Sequence, residues 1–599
     1  MLFPNTVFPL ICLLGQARSQ SSTVPYVPTG TPVAGDYSGP LRPQIHFSPP
    51  QFFMNDPNGM FLDAEGTYHL YYQYDPIANI ADNQHWGHAT STDLYRWTNQ
   101  PIAIFPDSPN DGIFTGSAVI DINNTSGFFP NQTNGVVAIY TLNTPTEQTQ
   151  EIAYSLDNGF TFTKYSGNPV ISINSDQFRD PKVIWYEPTQ SWVMAVGYNE
   201  EYIIAIYTSP NLRDWTHASN FTHGGLLGLA YECPNLIPIP MLQNASAPDP
   251  FSSSNFVSPG NPTEQVYVLI ISINPGAPVG GSITQYFPGT FNGTHFAPVD
   301  NAARIADFAK DNYAGQFFYN IPLNKPAISM AWASNWEYAQ QVPTGQLENF
   351  RSAQSLPRMN ALANVSRMGY DLLSFPVSMS HLYTTPPTQP LTSNPSLGNS
   401  SLSLSYGTSV PSGSLLFNIT VSNLPSASNT TGTINATFLS SSDPLQPATI
   451  STGVFLGGNP PVIWLHRSPF SSALNFASSN PFFTDKFSTT GFIQNGADGN
   501  YGNLAGGSFS LLGVIDRTIF EVFVNNGQAS GTMIFFPDAP LDTLVISSGG
   551  LNEGVVVDVE VRGLESGWAG QEDGNGIVVG NVTTPSQKMS RDGWMGEDW

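Results

Sequence analysis

An all-β chain, a β-propeller followed by a β-sandwich, is predicted by three features of the sequence. The first is composition: charged residues are 11% and aromatics 12% of 599 positions, with 53 Gly and 51 Pro. Long surface helices rely on Glu, Lys and Ala, whereas this mixture suits short strands joined by Gly, Pro, Asn and Ser turns. The second is a repeat. Ser91-Thr-Asp-Leu-Tyr-Arg-Trp97-Thr98 recurs as Ser209-Pro-Asn-Leu-Arg-Asp-Trp215-Thr216, and Tyr154–Lys164 ("YSLDNGFTFTK") follows the same plan. A unit of that size, holding several short strands, matches one propeller blade. The third is a later series of alternating runs with "NNG" and "GG" turns, which reads as a sandwich.

In chain order, residues 6–19 ("TVFPLICLLGQARS") form an apolar run too short to span a bilayer. They read as a secretory signal over residues 1–20. Residues 40–360 hold the propeller signals. From 361 to 395 the chain becomes rich in Ser, Pro, Thr and Asn, the composition of a linker. Residues 396–565 carry the sandwich runs, among them "GSLLFNITV", "TIFEVFVNNG" and "VVVDVEVRGL". Residues 566–599 are Gly-rich and acidic and read as a loose tail.

The formal net charge of −25 argues against a nucleic-acid partner and against a polyanionic substrate, which this surface would repel. A small neutral molecule fits better. After the signal no run reaches the ~18 apolar residues of a membrane span. Twelve N-x-S/T sequons accord with secretion: Asn123, Asn124, Asn131, Asn220, Asn244, Asn292, Asn364, Asn399, Asn418, Asn429, Asn435 and Asn581. Of the two cysteines Cys12 lies in the signal, so Cys233 alone remains and no intrachain disulfide is expected.

Three carboxylates stand in unusual surroundings. Asp56 lies in "MNDPNG", which reads as a tight turn capped by Asp, flanked by Phe52, Phe53, Met54, Met60 and Phe61. Asp180 lies in "FRDP", a turn leading into an apolar strand, where neighbouring Arg179 would hold it ionised. Glu232 lies in "LAYECPNLIPIP", with no basic neighbour, where desolvation disfavours the charged form. Each has a plain structural alternative, a turn cap or an ion pair. Acids in divergent environments are what glycosidic cleavage requires: one protonates the leaving oxygen while another stays a carboxylate. His85 and His88 in "HWGH" lack further ligands at metal spacing, so no metal or other cofactor is expected. No phosphate-binding loop, dinucleotide fingerprint or serine-nucleophile elbow occurs.

"MNDPNG", "FRDP" and "YECP", in that order, resemble the signature motifs of the glycoside hydrolase family 32 β-fructofuranosidases, the invertases, inulinases and fructosyltransferases. The similarity extends through 68–76, 85–97, 112–119, 331–344 and 351–358, the last two like fungal and yeast-type members, and 516–527 resembles the family's sandwich motif. It thus runs from Gln44 to Leu564. The resemblance implies a five-bladed propeller with a C-terminal sandwich. It implies Asp56 as nucleophile of a covalent fructosyl-enzyme, Glu232 as acid and base, and Asp180, oriented with Arg179, as the acid that stabilises the transition state. Asn55 and Gln73 would bind fructose hydroxyls, Trp86 and Phe114 would form apolar walls, Ser117 would assist them, and Trp336 would be a further member of the pocket lining; blade-core packing is the alternative for Trp86 and Phe114. Phe53 stands where the family usually has Trp, at a position that touches the region beyond the fructose. Cys233 reads as a packing residue, and Glu521 as a sandwich residue with a binding role open.

The implied activity is secreted, retaining hydrolysis of sucrose and short fructans. A fructosyltransferase and a non-catalytic sugar-binding propeller are the alternatives. In some members the sandwich reaches a partner subunit, which leaves a homodimer open.

Overall fold

The computed structural model describes residues 30–568, apart from 223, 226, 246, 248, 258–264, 367–368, 387, 426–428, 443–448, 459–460, 469–472 and 491–506. The expected signal peptide and Asn581 lie outside the described residues. Five mainly antiparallel sheets form the propeller and two six-stranded sheets the sandwich. The inner strands of successive blades are Phe52–Leu62, Gly112–Ile120, Phe178–Tyr186, Tyr231–Pro238 and Tyr313–Phe317. The first is buried from Phe53 to Leu62, as expected of a strand covered on both faces. Phe350–Arg351 pairs in parallel with Phe52–Phe53 and closes the first blade.

The repeat has a physical origin. Ser91, Ser155 and Ser209 each end the third strand of their blade. Each Oγ accepts the backbone N–H two residues on, from Asp93 at 3.1 Å, Asp157 at 3.3 Å and Asn211 at 3.1 Å. A short hydroxyl thus replaces the lost ladder bond and turns the chain toward the outer strand.

Two expectations are corrected at the junction of the two units. Residues 361–376, expected as the start of a linker, complete the fifth blade: Arg358–Ser366 and Gly369–Pro376 pair across seven registered partners before the bulge near Ser366. Their apolar residues Ala361, Leu362, Ala363 and Leu373 are buried, and that burial outweighs the polar turn residues downstream. The tail also begins in ordered contact. Trp568 stacks on Tyr37 with ring centroids 3.7 Å apart and donates Nε1 to Pro43 O at 3.1 Å.

Ile519–Val524 in the sandwich is buried along its whole length because both faces are covered. Phe520, Val522 and Val524 point into the sandwich core, while Phe523 joins the propeller's apolar cluster. Beside Phe523, Glu521 accepts from Arg358 Nη2 at 2.7 Å and from Leu356 N at 2.8 Å. Its carboxylate is therefore committed to holding sandwich against propeller. Asp307, Arg358, Thr532 and His46–Asp516 extend this buried ionic seam. At Gly527 a Cβ would meet Ser374 O at 2.5 Å, so the "NNG" turn needs glycine for backbone approach to the fifth blade as well as for its positive φ.

Candidate active site

All five inner strands bulge toward the same end of the propeller axis. Asn55 and Asp56 lie between partners Tyr74 and Tyr72; Thr115 lies between Thr141 and Tyr140. Asp180 and Pro181, Cys233 and Pro234, and Ala314 and Gly315 are the extra residues in the other three blades. A bulge leaves a residue outside the ladder and re-aims its side chain. Each contains or precedes Pro or Gly, which either lacks the ladder N–H or tolerates the kink. Asp56-Pro57-Asn58-Gly59, expected as a turn, is in fact such a bulged stretch within a continuous strand. Gly59 has φ +47°, and a Cβ there would meet the Trp86 ring at 2.8 Å. Asp180, Cys233 and Ala314 adopt φ of +69°, +47° and +53°, a region that non-glycine residues occupy only uncommonly.

The bulges bring the three predicted acids together. Asp56 Oδ2 accepts from Thr115 Oγ1 at 2.7 Å and from the Cys233 thiol at 3.3 Å, while Oδ1 accepts from Asn55 Nδ2 at 3.2 Å. The same sulfur lies 3.6 Å from Asp180 Oδ2, which also accepts Cys233 N–H at 3.0 Å. Cys233 therefore bridges the two aspartates, a role beyond the packing expected of it. Its one proton serves the nearer carboxylate, and burial beside these acids pushes its pKa up, keeping it a thiol.

Burial pushes Asp56 up to about 6, with the Glu232 charge adding to it and the Thr115, Cys233 and Asn55 hydrogen bonds opposing it. Burial likewise pushes Asp180 up to about 7, against the pull of Arg179. This reverses the expectation that Arg179 holds Asp180 ionised. The guanidinium turns instead to Glu232, with Nη2 at 2.8 Å and Nε at 3.2 Å from Oε1. Glu232, expected to lack a basic neighbour, thus has one from the adjacent blade. Its Oε1 also accepts from Asn199 Nδ2 at 3.2 Å, and Oε2 accepts from the Tyr313 hydroxyl.

The other predicted residues divide. Asn55 stands beside Asp56, and its Oδ1 has no protein partner among the described residues. Gln73 is buried next to the first bulge and donates to Ile113 O at 3.0 Å. Phe114 is half-buried and Trp336 half-buried at the rim. Two are wholly buried and bonded within the blades. Trp86 is 0% exposed with Nε1 spent on Phe114 O, so it is blade core. Ser117 is 0% exposed, donating to Pro181 O at 2.9 Å and accepting from Val183 N at 3.0 Å. It ties the second blade to the third. Phe53 is also buried, stacked on Trp336 at 6.3 Å and edge-on to Trp332 at 6.2 Å, so it sets the rim from below. Sequence reading missed Thr115, Asn199 and Tyr313; the Thr-Gly and Ala-Gly dipeptides at matching strand positions are the signal for the second and fifth bulges.

The description "Glycosyl hydrolases family 32 N-terminal domain" matches residues 46–376, and "Glycosyl hydrolases family 32 C terminal" matches residues 465–563. The chain belongs to glycosyl hydrolase family 32. Invertase 2 of Saccharomyces cerevisiae is 39% identical over 516 residues, covering 83% of this chain and 89% of that protein. An extracellular exo-inulinase of Meyerozyma guilliermondii is 38% identical, covering 83% and 90%. Among solved structures, a β-fructofuranosidase from Schwanniomyces occidentalis bound to fructosyl-erythritol superposes with TM-score 0.76 at 35% identity, covering 89% of this chain and 99% of that one. The fold of this family 32 glycoside hydrolase is accordingly a five-bladed propeller with a β-sandwich.

Proposed function

We propose that this family 32 enzyme is a secreted, retaining β-fructofuranosidase acting on sucrose and short fructans. The observation that carries the reading is the convergence of Asp56, Asp180 and Glu232 on one end of the axis, the two aspartates bridged by Cys233 and Glu232 held by Arg179, Asn199 and Tyr313. The relatives named invertase and exo-inulinase support the substrate class.

Asp56 is the nucleophile. Thr115 and Cys233 hold Oδ2, which leaves Oδ1 the freer oxygen to attack the anomeric carbon of the fructosyl unit. As that bond forms, the glycosidic C–O bond breaks and Glu232 passes its proton to the departing oxygen. Water then gives a proton to the Glu232 carboxylate and its oxygen displaces Asp56, restoring both acids. Asp180 faces the sugar hydroxyls and positive charge that develops at the ring, and Asn55 Oδ1 offers a further acceptor. Arg179 and Tyr313 fix the Glu232 carboxyl in place.

Incubation with sucrose tests this directly. Fructose should appear first as the β-anomer, in amounts equal to glucose; the α-anomer would overturn retention. A fructose deficit would mark transfer to another sugar, and sugar binding without cleavage would mark the non-catalytic alternative.

The pH profile supplies a second test. Replacing Thr115 by Val removes a hydrogen bond that favours the Asp56 carboxylate. A bond to a charged group is worth ~1.5–3 kcal/mol, so Asp56 should rise by about one to two pH units. Since turnover needs the ionised nucleophile, the acid limb of kcat/KM should move to higher pH. An unmoved limb would show that Asp56 does not govern it.

Secretion and glycosylation belong to the same proposal. Asn123, Asn131, Asn220, Asn244, Asn292, Asn364, Asn399, Asn418 and Asn429 are exposed, whereas Asn124 and Asn435 are half-buried. Asn124 Oδ1 moreover accepts Phe129 N–H at 2.7 Å, which sets it among the poorer acceptors of a glycan.

A further inference from the structure

We propose that the indole of Trp464, on the outer face of the sandwich, is the platform on which the first N-acetylglucosamine of a glycan on Asn435 stacks. The proposal rests on the secreted, glycosylated reading and goes beyond it by giving one sequon a seat for its sugar.

The seat follows from strand register. Alternate residues of a strand face opposite sides of the sheet. In Thr433–Leu439, Ile434, Ala436 and Phe438 enter the sandwich core, so Thr433, Asn435 and Thr437 face outward. The same alternation turns Gly453 outward in Ile450–Phe455 and Trp464 outward in Val462–Arg467. Asn435 pairs with Gly453, and Gly453 pairs with Trp464, so the three form one row across neighbouring strands. Ser547 and Ser401 continue the row beyond Asn435, and Ser488 ends it beyond Trp464. The indole is the one large side chain in this row.

Gly453 faces outward and is nonetheless buried, because the indole covers it. A Cβ on Gly453 would meet Trp464 Cζ2 at 2.5 Å and Cη2 at 2.7 Å. The benzo end of the ring thus lies over Gly453 and spans the ~4.8 Å between strands toward Asn435. Glycine weakens a strand interior and marks a place where another group comes close. Any side chain at 453 would lift the ring out of the row.

Covering a glycine with an aromatic ring also steadies a sheet by itself, and that is the structural alternative. What favours a sugar is the residue at the far end of the ring. Asn435 opens the acceptor triplet Asn435-Ala436-Thr437, and its amide makes no hydrogen bond to protein among the described residues. Trp464 is half-buried, which leaves part of the indole open to a ligand. The C–H face of a pyranose matches an aromatic face, and small serines on the other side of Asn435 leave the sugar space to lie down. Phe455 and Val462, paired in the next outward row, would be shielded by the same glycan. In the transfer, Asn435 Nδ2 bonds the anomeric carbon of N-acetylglucosamine and loses a proton. The bond from that carbon to the diphosphate of a lipid-linked oligosaccharide donor breaks, and the diphosphate leaves with the electron pair.

Full-length enzyme secreted from a yeast host provides the test. Glycopeptide mass spectrometry reads occupancy at Asn435, and hydrogen exchange reads the strands Ile450–Phe455 and Val462–Arg467. With the glycan in place these amides should exchange at least about threefold more slowly than in Thr437→Val, which keeps Asn435 but destroys the acceptor triplet. In a Trp464→Ser background the same comparison should show no difference. Two treatments of the folded, unsubstituted enzyme need no variant. Trimming to a single N-acetylglucosamine should preserve the protection, and removing the whole glycan with an amidase should abolish it. Asn435 left bare while other sequons are occupied, protection lost on trimming, or a glycan effect that persists without Trp464 would each overturn the platform. Absence of glycan from every sequon would instead overturn the reading of secretion and glycosylation beneath it.

Discussion

Replacing Asp56 by Asn should abolish sucrose cleavage, with kcat falling by about 10⁴-fold or more, the scale seen when a covalent nucleophile is removed. Asn matches Asp in shape but cannot attack, so substrate binding should survive and KM change little. The same substitution should stabilise the fold at neutral pH. Asp56 has its carboxyl raised from 3.8 to about 6 in the folded chain, chiefly by burial. The unfolded chain thus releases this proton more readily, and ionisation costs stability from about pH 4 upward, in full above about pH 6. Two units correspond to up to about 3 kcal/mol, present above pH 6 and absent below pH 4. Denaturant unfolding of both proteins at pH 4 and pH 7.5 reads this difference. Near-normal turnover by Asp56→Asn would remove the nucleophile assignment; an unaltered stability difference between the two pH values would remove the account of its burial.

Glu232→Gln should lower kcat on sucrose by about 10²–10⁴-fold, the range typical of general acid–base catalysis. The sugar oxygen that leaves from sucrose is a poor leaving group and needs a proton; fluoride does not. A β-fructofuranosyl fluoride should therefore still fructosylate Asp56 in this variant. Deglycosylation would then lack its base, and the protein should gain the mass of one fructosyl group. Parallel losses on sucrose and on the fluoride, with no adduct, would show that Glu232 does not act as the acid. Arg179 retains Gln148 and Gln177 as acceptors at 3.2 and 2.9 Å, so the guanidinium keeps partners in the variant.

Both predictions concern residues that were legible before any coordinates. An Asp before Pro, or a Glu before Cys-Pro, amid apolar neighbours is a local signal because the bulge that aims the acid is made by those neighbours. The blade repeat was legible for the same reason: the Ser that ends each third strand caps a turn two residues away. The Thr-Gly and Ala-Gly dipeptides mark the bulges at Thr115 and beside Tyr313, but nothing in the sequence says which acid Thr115, Asn199 or Tyr313 meets, since each acts on an acid in another blade, and Tyr313 reaches Glu232 across 81 positions of sequence. Ser117 and Trp86 were placed in the sugar pocket by resemblance, but the fold buries one between blades and the other beneath Gly59.

Arg179 shows where the division falls. Sequence adjacency to Asp180 suggested an ion pair, yet successive residues of a strand point to opposite sides, and the bulge at Asp180 sets the two further apart. The guanidinium accordingly meets Glu232, 53 positions away, and Asp180 is left to desolvation. Strand content, blade repeat and the identity of the acids were set by short-range patterns and are written in the sequence. Which acid is paired, which is raised, and that Cys233 stands between two carboxylates depend on distances between blades. Those distances arise only when the five bulged strands pack around one axis.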